Sequence, residues 1–201
     1  MRQARSSSSW SVRSGGPNHH LTILAYLRDA AGLSAPTDYV LPPLAPAVPL
    51  HAELAPYATA DAAEAWIRWW EQALGPARRL LTPDGFMPQA LAPPEPGTDL
   101  RALYDAGVDR AHDWMRLRTT EFHERWRRRH GHPSAGETVR RLERELGHDS
   151  APFALEVRLL PLDRRWGRRM DTDLAVVSEA LWFDEDARDL FLERILRTLM
   201  E

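Results

Sequence analysis

From Asp99 to His130 the residues Leu100, Leu103, Gly107, Ala111, Trp114, Met115, Phe122 and Trp126 recur at steps of three, four or seven, the spacing that lines one face of an α-helix. Only Arg118 and Thr119 interrupt the stripe. Gly131-His132-Pro133 ends it, and Ser134-Ala135-Gly136-Glu137 has the spacing of a capping box that opens a second helix closing at Gly147. The two are expected to form a helical hairpin.

Elsewhere, prolines and glycines punctuate the chain. Leu21, Leu24, Ala25 and Leu27 precede Gly32, a short helix with glycine where its C-terminal cap belongs. Prolines at 36, 42, 43, 46, 49 and 56 exclude a regular helix over 34–56. The interleaved Leu41, Leu44, Val48 and Leu50 favour a segment packed across the domain's own surface over a polyproline ligand. A helix over Thr59–Leu74, capped by Thr59 or Asp61, places Ala63, Trp66, Ile67, Trp70 and Leu74 on one face and leaves Trp69 off it. Gly75-Pro76 stops that helix, and the stretch on to Pro93, with its Pro83-Asp84-Gly85 turn, reads as loop.

After Pro152 the period drops to two. Phe153, Leu155, Val157 and Leu159 alternate as in a half-buried strand, and Leu174 to Trp182 is the expected antiparallel partner. Asp184 to Met200 closes the chain as a helix, with Asp184, Glu185 and Asp186 at its positive end and Arg194 and Arg197 near its negative end. The expected fold class is therefore α+β: a predominantly helical single domain over 19–201, with a C-terminal antiparallel strand pair and a Pro-rich irregular segment. The Ser- and Gly-rich residues 1–18 read as a flexible tail, and 93–98 is the candidate internal break.

Composition excludes whole classes of chemistry. The absence of cysteine removes disulfides, thiolate metal sites and cysteine nucleophiles. No run is apolar enough for a bilayer-spanning helix or a secretory signal, so a cytoplasmic protein without membrane contact is expected. A net charge of −3 means that any anionic partner must be met by a local patch. The eight histidines include no His-Glu-x-x-His. His123, His130, His132 and His148 could converge on a metal only with a folded-back segment, so neither metal nor cofactor is expected. No phosphate-binding glycine loop, dinucleotide fingerprint or nucleophile elbow is present, and His112-Asp113 cannot act as a dyad because neighbours on a helix diverge.

Two concentrations of arginine remain. Arg125, Arg127, Arg128 and Arg129 end the long helix, within a stretch from Arg110 to Glu145 that holds ten arginines against six acids. Glu121 and Glu124, four residues before Arg125 and Arg128, are placed to neutralise part of it. The second is Arg164-Arg165-Trp166-Gly167-Arg168-Arg169, flanked by Asp163, Asp171 and Asp173 in a loop between the expected strands. Guanidinium groups around a Trp suit the holding of a phosphate or carboxylate beside a planar group. The candidate partner- or anion-binding residues are thus Arg164, Arg165, Trp166, Arg168, Arg169, Arg125, Arg128 and Arg129, with Trp10 and Trp69 as spare aromatics.

The expected function is non-catalytic binding of another macromolecule, another protein or a second copy of the chain. Nucleic-acid binding through the same arginines is the alternative. A third reading is an enzyme acting on a small anion with His112 or His148 as base, which requires a pocket joining them to the arginine loop.

Overall fold

The computed structural model describes residues 10–35, 40–75, 79–82, 85–88, 92–128 and 135–200. Chain order is β1 (Ser11–Pro17), α1 (His19–Ala31), a 3-10 turn (Ala55–Tyr57), α2 (Ala60–Leu74), β2 (Arg79–Thr82), β3 (Gly85–Pro88), α3 (Asp99–Arg128), α4 (Ala135–Leu146), β4 (Ala154–Leu160), β5 (Gly167–Arg169), β6 (Leu174–Ser178), α5 (Glu179–Trp182) and α6 (Glu185–Met200). The α+β expectation holds: helices dominate, the C-terminal antiparallel pair is β5 with β6, and a proline-rich irregular segment follows α1. Among the described residues no helix is long and apolar enough to cross a membrane.

The helices begin and end where side-chain and glycine chemistry places them. Asn18 Oδ1 accepts the Leu21 amide at the start of α1, and Gly32, at φ 65°, closes it. Thr59 Oγ1 accepts the Ala62 amide at the start of α2, and Gly147, at φ 77°, follows the end of α4. Helix α1 is buried over its whole length from Leu21 to Arg28, so it lies inside the molecule, not on its surface. It meets α3 closely enough at Gly107 that a Cβ there would lie 2.6 Å from Leu27 Cδ2.

The main sheet has the order β1-β4-β6-β5. Its two faces bury two separate clusters. One is built by α1, α2 and the first half of α3 over Leu160, Leu162 and Val176. The other is built by α4 and α6, with Phe122 of α3, over Leu155, Val157, Leu159, Ala175 and Val177. The alternation along β4 sends Leu155, Val157 and Leu159 into the second cluster and Leu160 into the first.

Several expectations are corrected. Strands β4 and β6 pair in parallel, Val157 opposite Ala175, because β5 intervenes and reverses the chain once more. The expected strand 174–182 ends at Ser178, whose hydroxyl accepts the Leu181 amide and starts α5. Residues 11–17 of the expected tail form β1, parallel to β4 from Ser11–Ala154 to Pro17–Leu159. An edge strand needs backbone pairing more than apolar bulk, and β1 is mostly exposed. Of the remainder of that tail, Trp10 stacks on Phe153 and Asn18 caps α1, while 1–9 lie outside the described residues. The expected loop 76–92 contains the β2–β3 hairpin, Leu80 opposite Met87, while Pro83 and Asp84 lie outside the described residues. Helix α4 takes α6 as its principal neighbour instead of folding back on α3, through an ion network of Arg141, Glu145, Glu193 and Arg197.

The proline-rich segment does pack on the domain. Buried Arg28 donates from Nη1 to the Leu41 carbonyl at 3.0 Å and from Nη2 to the Pro42 carbonyl at 2.9 Å, while Asp29 Oδ2 accepts the Leu44 amide. Leu41 and Leu44 are buried, but Leu50 is 74% exposed. The segment then touches the chain after β4: the Ala45 amide donates to the Pro161 carbonyl, and the Asp163 amide donates to the Pro43 carbonyl.

Candidate functional site: paired arginines at the carboxyl ends of the parallel strands

Strands β1, β4 and β6 run the same way, so their carboxyl ends share one edge of the sheet. Open parallel sheets present their loops for binding at this edge. Here the chain enters α1 after β1, the arginine loop after β4, and α5 after β6.

The arginine loop is held from two sides. On the proline-rich side, Asp163 is bound through its amide to Pro43. On the sheet side, the Trp166 amide donates to Ser178 Oγ at 2.9 Å and the Ser178 amide donates to the Trp166 carbonyl at 2.7 Å. The Trp166 ring packs against the first core cluster, which makes it an anchor for the loop. Gly167 seats under Phe191 of α6, where a Cβ would lie 2.7 Å from the ring, so that position admits little beyond glycine.

These restraints display Arg164 and Arg165, whose side chains are 62% and 65% exposed. Arg164 pairs with Asp163 at 3.0 Å, as the flanking acid suggested. Arg165 pairs at 2.5 Å with Asp184, which also caps α6 by accepting the Ala187 amide. Arg168 and Arg169 lie along β5, running away from this edge; Arg168 is exposed, and Arg169 donates to the Asp171 and Thr172 carbonyls.

The end of α3 arrives from the other side. Arg128 pairs with Glu124 at 3.4 Å, as expected. Arg125 does not take Glu121, which pairs with Arg118 at 2.5 Å. Instead it reaches Glu179, the first residue of α5, and lies over the Phe183 ring at 5.3 Å. Arg129, His130 and His132 lie outside the described residues.

Glu179 carries the strongest electrostatic tension here. Its side chain is only 4% exposed, and Oε1 has no hydrogen-bond partner among the described residues. Burial pushes its carboxyl above the usual range, and Glu121 adds to this, although Arg125 and Arg118 oppose it. The folded protein therefore binds this proton more tightly than the unfolded chain does. The stability it contributes is complete below the ordinary carboxylate range and is lost as pH rises through the raised folded value. Glu179→Gln is expected to match the parent in acid and to exceed it in urea denaturation at mildly alkaline pH, because the parent loses stability at up to about 1.4 kcal/mol per pH unit once the unfolded carboxyl ionises and the folded one does not. Identical stability-versus-pH slopes would sink this assignment.

No match exists for this chain among protein-family models, curated proteins or solved structures. The remaining candidates therefore rest on geometry alone. His112 faces His19, with ring centroids 5.2 Å apart, and burial lowers the affinity of His19 for its proton. His148 Nδ1 lies 3.0 Å from the Asp149 carbonyl oxygen. Among the described residues no group of three His, Asp or Glu could hold a metal. Trp69 is buried, donates to the Ala92 carbonyl and packs edge-on to Tyr104, while Trp10 stacks on Phe153. A groove of about 440 Å³ between the starts of α2 and α3 is lined by Asp61, Glu64, Arg68 and Asp99 and holds none of the candidate residues.

Sequence reasoning missed Ser178 and Glu179. The available signal was Ser-Glu directly after an apolar strand, a helix-start pattern that the strand reading of 174–182 overrode.

Proposed function

We propose that the protein acts by binding, without catalysis, an acidic surface of another protein at the carboxyl edge of its sheet. The observation that supports this is convergence: Arg165 and Trp166 from the β4–β5 loop and Arg125 from α3 all bond to the short stretch Ser178–Asp184. Members of two arginine concentrations far apart in sequence are thereby tied to one short stretch of chain.

The internal acids do not exhaust these arginines. A guanidinium has five N–H donors in a planar fork, and one carboxylate engages at most two of them side by side. Arg165, with Asp184 on one flank and most of its side chain in solvent, keeps donors for a second carboxylate. The loop's backbone is fixed by Pro43 and Ser178, so binding costs little ordering entropy. The net charge of −3 favours a protein partner over a polyanion, since the basic patch is local.

The test is capture from the host lysate with the parent and with R164E/R165E, with and without nuclease. A protein retained by the parent after nuclease and lost by the double reversal is the expected result. Partners unaffected by the reversal would overturn the reading, and recovery of nucleic acid that disappears at high salt would replace it with phosphate-backbone binding.

A further inference from the structure

Arg125 and Glu179 form an unequal pair. The carboxylate is 4% exposed and out of a partner's reach, whereas the guanidinium is 50% exposed and open to solvent. We infer that protonation of Glu179 strengthens the hold on an acidic partner by leaving the Arg125 charge without its internal counter-ion. This inference rests on the binding reading above.

The geometry supports each step. Arg118, the other cation facing Glu179, is paired with Glu121 on α3, so the nearest other carboxylate is already engaged. On the α6 side, Asp184 is held by Arg165, and Arg188 is paired with Asp189. Arg125 also lies over the Phe183 ring at 5.3 Å, a contact that does not itself require Glu179 to be ionised. Oε1 has no hydrogen bond among the described residues, so the ionised form is favoured only by Arg125 at Oε2 and by the charge of Arg118. Burial, the largest cause, raises the carboxyl's affinity for the proton above the ordinary carboxylate value. By linkage, a partner that prefers the protonated form must itself raise that affinity.

The probe is a fluorescently labelled poly-aspartate peptide, which stays ionised well above its ordinary carboxylate range of about 4. Its anisotropy is titrated against the parent, Glu179→Gln and R164E/R165E from about pH 8 to about pH 5.5, at constant ionic strength. Histidine protonation falls in this window and is common to all three. The expected result is a several-fold gain in affinity for the parent on acidification beyond that of Glu179→Gln, with Glu179→Gln already the tighter binder at the alkaline end. Parallel curves for those two, with binding still abolished in R164E/R165E, would overturn the inference and leave the binding reading standing. Undiminished binding by R164E/R165E would remove both.

Discussion

Replacing Trp66 by alanine is expected to lower stability by about 3–5 kcal/mol, the range for emptying a large aromatic site in a packed core. Trp66 is fully buried, stacks on Trp70 at 5.3 Å and donates from its indole to the Leu24 carbonyl at 2.9 Å. Arg28 lies 5.9 Å above the same ring. The substitution therefore opens a cavity between α1 and α2 and unseats the residue that grips the proline-rich segment. At about 2–4 °C per kcal/mol for a chain of this size, the melting temperature should fall by roughly ten degrees. Trp66→Phe, which keeps most of the volume but loses the indole donor, should cost much less. A Trp66→Ala protein melting within a degree or two of the parent would show that the cluster does not pack as described.

Arg158→Ala should cost about 3 kcal/mol, the lower part of the range for breaking a buried ion pair. Arg158 sits on β4 and is almost wholly buried. It donates from Nη1 to the Ala73 carbonyl at 2.6 Å, from Nη2 to the Gly75 carbonyl at 3.3 Å, and from Nε to Glu156. Carbonyls at the end of α2 have no partner within their own helix, and this guanidinium supplies one from the sheet. Glu156 is partly exposed and can recover solvation, which keeps the cost from the top of the range. Lysine should not rescue, because a point charge cannot fork across two carbonyls and a carboxylate. Urea unfolding decides it: a change below about 0.5 kcal/mol would mean the site behaves as ordinary surface.

Helix limits were legible because each rests on local chemistry: Thr59 before α2, Gly32 after α1, Gly147 after α4. The strand at 154–160 was legible from its period. What escaped depends on distant partners. Strand β5 is Gly-Arg-Arg, with no β-forming side chain, and exists because β6 offers it an edge and Phe191 covers Gly167. Missing it cost the direction of β6. Trp69 lies off its helix's apolar stripe and is buried by the chain around Ala92 and by Tyr104, which no periodicity encodes. At the candidate site, the arginines were visible as a concentration of charge. The pairing of Arg125 with Glu179 spans 54 residues and was not visible, since nothing local tells whether a glutamate after a strand points inward.

The parallel pairing of β1 with β4 sets an order on how the molecule can be made. Val12 leaves the ribosome well before its partner Leu155, with α1, α2, α3 and α4 synthesised in between. In the interval α1, α2 and the first half of α3 already hold nearly all of the first core cluster and can condense as a helical intermediate. The second cluster has no such head start, because α4, β4, β6 and α6 all arrive late. Closing the sheet is then a late, long-range event and a slow one, since loop-closure entropy must be overcome before the distant strands pair. The nascent protein would spend that time with β1 as an unclaimed strand, and its short sequence, with one arginine and two glycines, suits a segment that must wait without aggregating.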